Sequence, residues 1–235
     1  MKILNVVPVN SDVYTPEIDN YVRMYLGEDT VLDTVRIHNG SPSIECEFDE
    51  MTNSPYVVDL VIKGEKEGYD AAFVTCFGDP GVAAARECVD IPVFGGFEPA
   101  MLIAMGLADR IGVVTVLPNV IPMLQRHSSS HHLDKRLVSI RDVGIPVLAL
   151  DNHEKLCKAL IDESVKAIKE DGVQAIVLGC TGMVDVAEDV KSGLYDLGYD
   201  VPIVEAAHSA VMMLEMYAKM GLKHSRLTYL KPTEK

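Results

Sequence analysis

An internal repeat limits what this chain can become. Lys2-Ile3-Leu4-Asn5-Val6-Val7 resembles Arg110-Ile111-Gly112-Val113-Val114-Thr115, and Ala72-Phe73-Val74-Thr75-Cys76 resembles Ile176-Val177-Leu178-Gly179-Cys180. The interval from Lys2 to Cys76 nearly equals that from Arg110 to Cys180. Each half then runs through Ile91-Pro92-Val93-Phe94 or Val201-Pro202-Ile203-Val204 into an apolar helical pattern. Self-similarity of this kind marks one structural unit used twice.

Short β-branched runs alternate with helical patterns, as in a parallel sheet covered by helices. Strands are expected at Ile3 to Val7, Val31 to Ile37, Ala71 to Thr75, Pro92 to Phe94, Ile111 to Val116, within Leu137 to Leu150, at Ala175 to Gly179 and at Pro202 to Val204. The predicted class is α/β, with two similar lobes.

Ligands of open parallel sheets bind outside the carboxyl ends of the strands, and Cys76 and Cys180 both stand at such an end. In CFGDPG, Asp79 is expected to cap a helix with Pro80 at its first position, running on through Ala83, Ala84, Ala85 and Arg86. Thr181 and Gly182 precede a second helical pattern. Each thiol is therefore expected to meet backbone N–H groups at a positive helix end, which lowers a thiol pKa.

The 235 residues suffice to bury a core without disulfides or metal. A formal charge of −14, with no basic stripe, disfavours nucleic acid as a partner. No apolar run reaches about eighteen residues, so no membrane span is expected. The first ten residues, MKILNVVPVN, lack a signal-peptide plan, and a cytoplasmic protein is expected.

The five cysteines are odd in number and lack CxxC spacing, which supports neither a disulfide framework nor a zinc site. Cys46, Cys88 and Cys157 are expected to be small buried hydrophobes. The chain has neither GxGxxG nor GxxxxGK[ST], so the turn after Cys76 is read as a close approach of backbone to a small ligand, not a phosphate cradle. His127, His131 and His132 in RHSSSHH read as part of a solvated loop without metal. Glu45, Glu47, Asp49 and Glu50 read as an acidic loop, and Met212, Met213, Met216 and Met220 as core residues of the last helix. His208 is placed near the cleft, with a local hydrogen bond at a helix start. The chain after about Leu230 is expected to fray.

CFGDPG followed by Ala84-Ala85-Arg86-Glu87, and Leu178-Gly179-Cys180-Thr181-Gly182-Met183 at the matching place, form a specific combination. With Gly40-Ser41-Pro42-Ser43-Ile44-Glu45 and Val113-Val114-Thr115, the sequence resembles the aspartate/glutamate/hydantoin racemase superfamily, in its hydantoin and allantoin racemase branch. The resemblance implies two flavodoxin-like lobes with pseudo-twofold symmetry, an active site between them, and self-assembly into homo-oligomers. It also implies chain crossings near Phe97 and Glu205. Lobe 1 is then residues 1–97 completed by 206–235, and lobe 2 is residues 98–205.

The implied activity is racemisation of a small molecule without a cofactor, by Cys76 and Cys180 on opposite faces of the reacting carbon. Inverting an acidic C–H centre needs a base on one face and an acid on the other, and cysteine, with a pKa of about 8.5, can serve as either. A hydantoin C5 proton is activated by the neighbouring carbonyl, whose enolate charge backbone N–H groups can hold. Asn10, Ser11, Thr75, Phe77, Gly78, Thr115, Thr181 and Gly182 are the expected substrate contacts.

Several departures bear on substrate. Val7 and Val9 replace asparagines common after the first strand, Phe97 and Cys46 replace expected glycines, and Asn119 replaces a common arginine. Rival readings are an aspartate or glutamate racemase, a maleate isomerase or arylmalonate decarboxylase-like enzyme, and a non-catalytic metabolite-binding protein.

Overall fold

The computed structural model describes residues 1–233. Eight strands alternate with helices among them, in two parallel four-stranded sheets. The first contains β1 (Lys2–Val7), β2 (Val31–Arg36), β3 (Ala71–Val74) and β4 (Val93–Phe94), in the order β2-β1-β3-β4. The second contains β5 (Ile111–Thr115), β6 (Leu137–Asp142), β7 (Ala175–Leu178) and β8 (Ile203–Glu205), in the order β6-β5-β7-β8. The orders are the same when each strand is matched to its repeat.

Every residue of β3, β5 and β7 is buried, as expected of parallel strands covered on both faces. Register reproduces the repeat closely. Val6 pairs with Val74 beside one cysteine loop, and Val114 pairs with Leu178 beside the other.

The helices are α1 (Pro16–Val22), α2 (Glu47–Lys66), α3 (Val82–Cys88), α4 (Phe97–Leu107), α5 (Ile121–Ser130), α6 (His153–Asp171), α7 (Ala187–Asp196) and α8 (Ala206–Lys219). Their ends follow local chemistry. The Thr15 side chain caps α1 ahead of Pro16, and Asn152 caps α6 by accepting from Lys155 N at 3.0 Å. Gly172, left-handed at φ 68°, ends α6. None of the described helices is long and apolar enough to cross a membrane.

Two helices pack away from the sheet that precedes them. Phe97, Ala100, Met101 and Ala104 of α4 join the core of the second sheet, with Val113, Ile176 and Val177. Ala207, Ala210, Val211 and Leu214 of α8 pack against Ile3, Phe73 and Phe94 of the first.

Several local expectations change. Leu137 to Leu150 is strand only as far as Asp142, because Gly144 turns at φ 65° and a short 3-10 turn follows over Val147–Ala149. RHSSSHH is not a loop. Pro122 stands in the first turn of α5, whose Met123 and Leu124 enter the core, so the helix carries His127 and all three serines. Glu47, Asp49 and Glu50 likewise form the acidic first turn of α2 and complement its N-terminus. Within α8, Met213 packs against the core, whereas Met212 and Met216 are exposed, as is Met220 just past its end. Cys46 precedes α2 and donates to Asp49 at 3.2 Å, while Cys88 and Cys157 lie on α3 and α6. From Leu230 to Thr233 the chain has no regular structure, and Lys231 Nζ reaches Asp90 at 2.9 Å. The last two residues, Glu234 and Lys235, lie outside the described residues.

Candidate active site

β3 and β7 each end two residues before a cysteine, so the repeat delivers both thiols from equivalent strand ends. Both open onto one cavity of about 70 Å³. The local geometry is also repeated. Gly78 N–H donates to Cys76 Sγ at 3.4 Å, and Gly182 N–H donates to Cys180 Sγ at 3.4 Å. A Cβ at Gly78 would stand 2.9 Å from Met123 Cε, so this turn has no room for a side chain unless Met123 moves.

Thr75, Thr181 and Gly182 line the cavity with the cysteines, and the remaining wall is mainly Val7, Pro8, Val9, Ile44 and Val147. Tyr14 also reaches it, held by Asn5 Nδ2, which donates to its hydroxyl at 2.7 Å. Other expected contacts stand back from the wall. Phe77 is buried against Phe97, with ring centroids 5.4 Å apart, and Thr115 Oγ1 donates to Gly179 O at 3.0 Å. Gly78 contributes its N–H to sulfur. Asn10 is exposed and pairs through its backbone with Ser41, while Ser11 Oγ donates to Pro42 O at 2.6 Å. The missed wall residues Val13, Ile18 and Val147 come from loops and α1, where only tertiary packing brings them to the cysteines.

The helix ends do not act as the strand-turn pattern predicts. Asp79 adopts φ 52°, Gly81 is left-handed at φ 72°, and α3 starts only at Val82. The Asp79 carboxylate instead accepts from Phe97 N at 3.0 Å and so serves the start of α4. Likewise, α7 starts well beyond Cys180, at Ala187. Neither thiol is therefore lowered by a helix terminus. Burial pushes Cys76 well above the ordinary thiol range, and the charges of Cys180, Glu50 and Asp79 add to it against the Gly78 N–H. Burial pushes Cys180 up to about 11, opposed by the Gly182 and Met183 N–H groups and reinforced by Glu45. Cys180 is the more readily ionised of the two.

Glu45 also accepts from Val147 N at 2.7 Å, joining the loop before α2 to the turn after β6. Nearby, Arg126 pairs with Glu47, and His127 Nε2 lies 3.9 Å from Glu50. His127 is raised despite burial, because Glu50 and Asp79 face it. His208 bonds the Glu205 carboxylate at 2.9 Å and the Tyr21 carbonyl at 2.7 Å, and so ties α8 to α1 away from the cavity wall. Of the substituted positions, Val7 and Val9 line the cavity, Phe97 opens α4 and Asn119 is exposed in a 3-10 turn.

A second cavity shares Val13, Ile18, Val147 and Gly182 with the first and extends past Leu148, Leu150, Val184 and Val186. This second cavity is an adjoining trough, and the walls of both are mostly aliphatic.

The profile of the family described as Asp/Glu/Hydantoin racemase matches residues 3–214. A hydantoin racemase from Pseudomonas sp. (strain NS671) is 36% identical over 237 residues, covering 100% of this chain and 93% of that protein. The structure of allantoin racemase from Klebsiella pneumoniae superposes with a TM-score of 0.90 at 32% identity, covering 100% of this chain and 95% of the other. That of allantoin racemase from Pseudomonas fluorescens gives 0.92 at 27% identity, covering 100% and 98%. The chain belongs to the Asp/Glu/hydantoin racemase family, in its hydantoin and allantoin racemase branch, and is an isomerase of the racemase type.

Proposed function

We propose that this enzyme racemises hydantoins carrying an apolar substituent at C5, by proton transfer between Cys76 and Cys180. One observation carries the reading: two equivalent thiols open onto a single cavity with mainly aliphatic walls. In this mechanism the thiolate of one cysteine removes the C5 proton, and the electron pair moves onto the adjacent carbonyl as an enolate. The thiol of the other cysteine then returns a proton to the opposite face, and turnover leaves the two protonation states exchanged. Gly78 N–H and Gly182 N–H stabilise whichever sulfur is negative. Thr75 and Thr181 supply polar groups at the wall for the ring.

The walls support an apolar substituent over the ureido group of allantoin. Val7, Val9, Ile44 and Val147 have no side-chain polar atom to pair with ureido donors, and an unpaired buried amide costs roughly 1–3 kcal/mol. The adjoining trough past Leu148, Leu150 and Val184 gives a larger substituent somewhere to lie. No described residue lining the first cavity is cationic, which argues against the paired carboxylates of aspartate or glutamate.

The test uses single enantiomers of 5-benzylhydantoin, allantoin and aspartate in heavy water, following optical activity and deuterium at the stereocentre. Fastest racemisation of benzylhydantoin, lost in Cys76→Ser and Cys180→Ser, is the expected result. Full activity in either serine variant refutes the two-cysteine mechanism. Preference for allantoin or aspartate refutes the substrate assignment.

A further inference from the structure

The edge of the trough carries a side-chain cluster outside the cysteine cavity. His153 and Cys157 occupy successive turns of one face of α6, with Cys157 Sγ 3.5 Å from His153 Nε2. Asp189, in the first turn of α7, places Oδ2 2.7 Å from the same Nε2. All three ligand atoms lie within 4.8 Å of one another. No CxxC pattern announces this cluster, because its third member comes from a different helix.

We infer that His153, Cys157 and Asp189 form a binding site for a zinc-class divalent transition-metal ion, with water completing the coordination. The geometry suits a tetrahedral ion. With Zn–S of about 2.3 Å and Zn–N of about 2.0–2.1 Å, tetrahedral angles set a sulfur-to-nitrogen edge of about 3.6 Å. The observed 3.5 Å matches that edge before any ion enters. The corresponding nitrogen-to-oxygen edge is about 3.3 Å, so Asp189 must withdraw by roughly 0.6 Å from its hydrogen-bonded position. Its side chain is 66% exposed and free to move that far.

The chemistry of the donor set agrees. Imidazole, thiolate and carboxylate together favour Zn²⁺ or Co²⁺ over Mg²⁺ or Ca²⁺, which prefer all-oxygen shells. Burial, with Asp189 and Asp185 adding to it, holds the Cys157 thiol above its ordinary pKa, and a divalent cation reverses that local field. Binding releases the Cys157 thiol proton. The bound ion would clamp α6 to α7 where His153 lines the trough. It takes no part in proton transfer, so this inference stands or falls apart from the proposed reaction.

Co²⁺ titration of tag-free protein, followed by thiolate-to-cobalt charge-transfer absorbance, tests the site. The expected result is a band saturating at one ion per chain. It persists in the Cys76→Ser/Cys180→Ser double variant and disappears in Cys157→Ala. Asp189→Asn, an exposed change that should leave the fold intact, is expected to weaken Co²⁺ binding by at least the roughly tenfold lost with an outer-shell partner. Zn²⁺ raises the thermal midpoint of the wild type by more than that of Asp189→Asn at the same concentration. A missing band, a band that survives Cys157→Ala, or one that requires Cys76 and Cys180 overturns the inference.

Discussion

Val147 N–H donates to Glu45 Oε1 at 2.7 Å, and the same carboxylate raises the pKa of Cys180. One side chain thus fastens the two halves of the cleft and adds to the upward shift that burial imposes on one thiol. Replacing Glu45 by Gln keeps an acceptor and removes the charge, so the pKa of Cys180 falls. The measurement is the pH dependence of Cys180 alkylation by iodoacetamide, read by mass spectrometry. Glu45→Ala loses both effects and is expected to destabilise the protein by about 1 kcal/mol, seen in denaturant unfolding. An unchanged alkylation profile in Glu45→Gln rejects the electrostatic link.

Both half-buried thiols are held above the ordinary thiol range, and the reaction needs one of them ionised. The rate should therefore climb with pH: kcat/KM rises by roughly tenfold per pH unit between about 7 and 9 as Cys180 begins to ionise. Cys180 is alkylated at lower pH than Cys76. The stability change has the opposite sign. The native state favours the protonated thiol, so this stabilisation is complete below the ordinary thiol pKa and is lost as pH rises through about 11. A flat pH–rate profile from 7 to 9 contradicts the assignment.

Asp79 is buried and its carboxyl is pushed up to about 6, chiefly by burial, with His127 and Phe97 N–H opposing. The native state binds its proton more tightly than the unfolded chain does. The resulting stabilisation is complete below about pH 4 and is lost as pH rises through about 6. Asp79→Asn keeps an acceptor for Phe97 N and is expected to gain about 1–3 kcal/mol at pH 7 while losing this pH dependence. Asp79→Ala relieves the same buried charge but leaves Phe97 N without its acceptor, so it is expected to be about 1 kcal/mol, or about 2–4 °C, less stable than Asp79→Asn. Thermal midpoints of the three proteins between pH 4 and 7 decide it.

Val9 is buried at the cavity wall. Val9→Asn places an amide among aliphatic side chains, and the preference for benzylhydantoin over allantoin should fall by about tenfold, equivalent to about 1.4 kcal/mol. Competing the two substrates under deuterium exchange measures the ratio. An unchanged ratio separates Val9 from substrate choice.

The parallel sheets were legible because their inner strands are short, β-branched and repeated, as Val113 and Val177 illustrate. The cysteines were legible for the same reason, each ending the same strand of its repeat. Less legible were contacts made by residues far apart in the chain. Asp79 precedes α3 and looks like its cap, yet the left-handed Gly81 turns the chain away and leaves the carboxylate to Phe97. The thiol pKa shifts run opposite to the direction the strand-turn pattern predicts, because burial outweighs two glycine N–H groups. The four-residue spacing of His153 and Cys157 is visible in the sequence, but Asp189 joins them only when α6 packs on α7.

The placement of α4 and α8 bears on how the protein is made. Ile3, Phe73 and Phe94 wait for α8, so the first sheet stays uncovered on that face until the second sheet and α8 have left the ribosome. A cut after residue 205 would expose those side chains, and a cut between α4 and β5 would strip Phe97 and Met101 from the second core. The halves of the repeat have traded covering helices, so a fragment holding either half alone would leave apolar side chains of a sheet unburied.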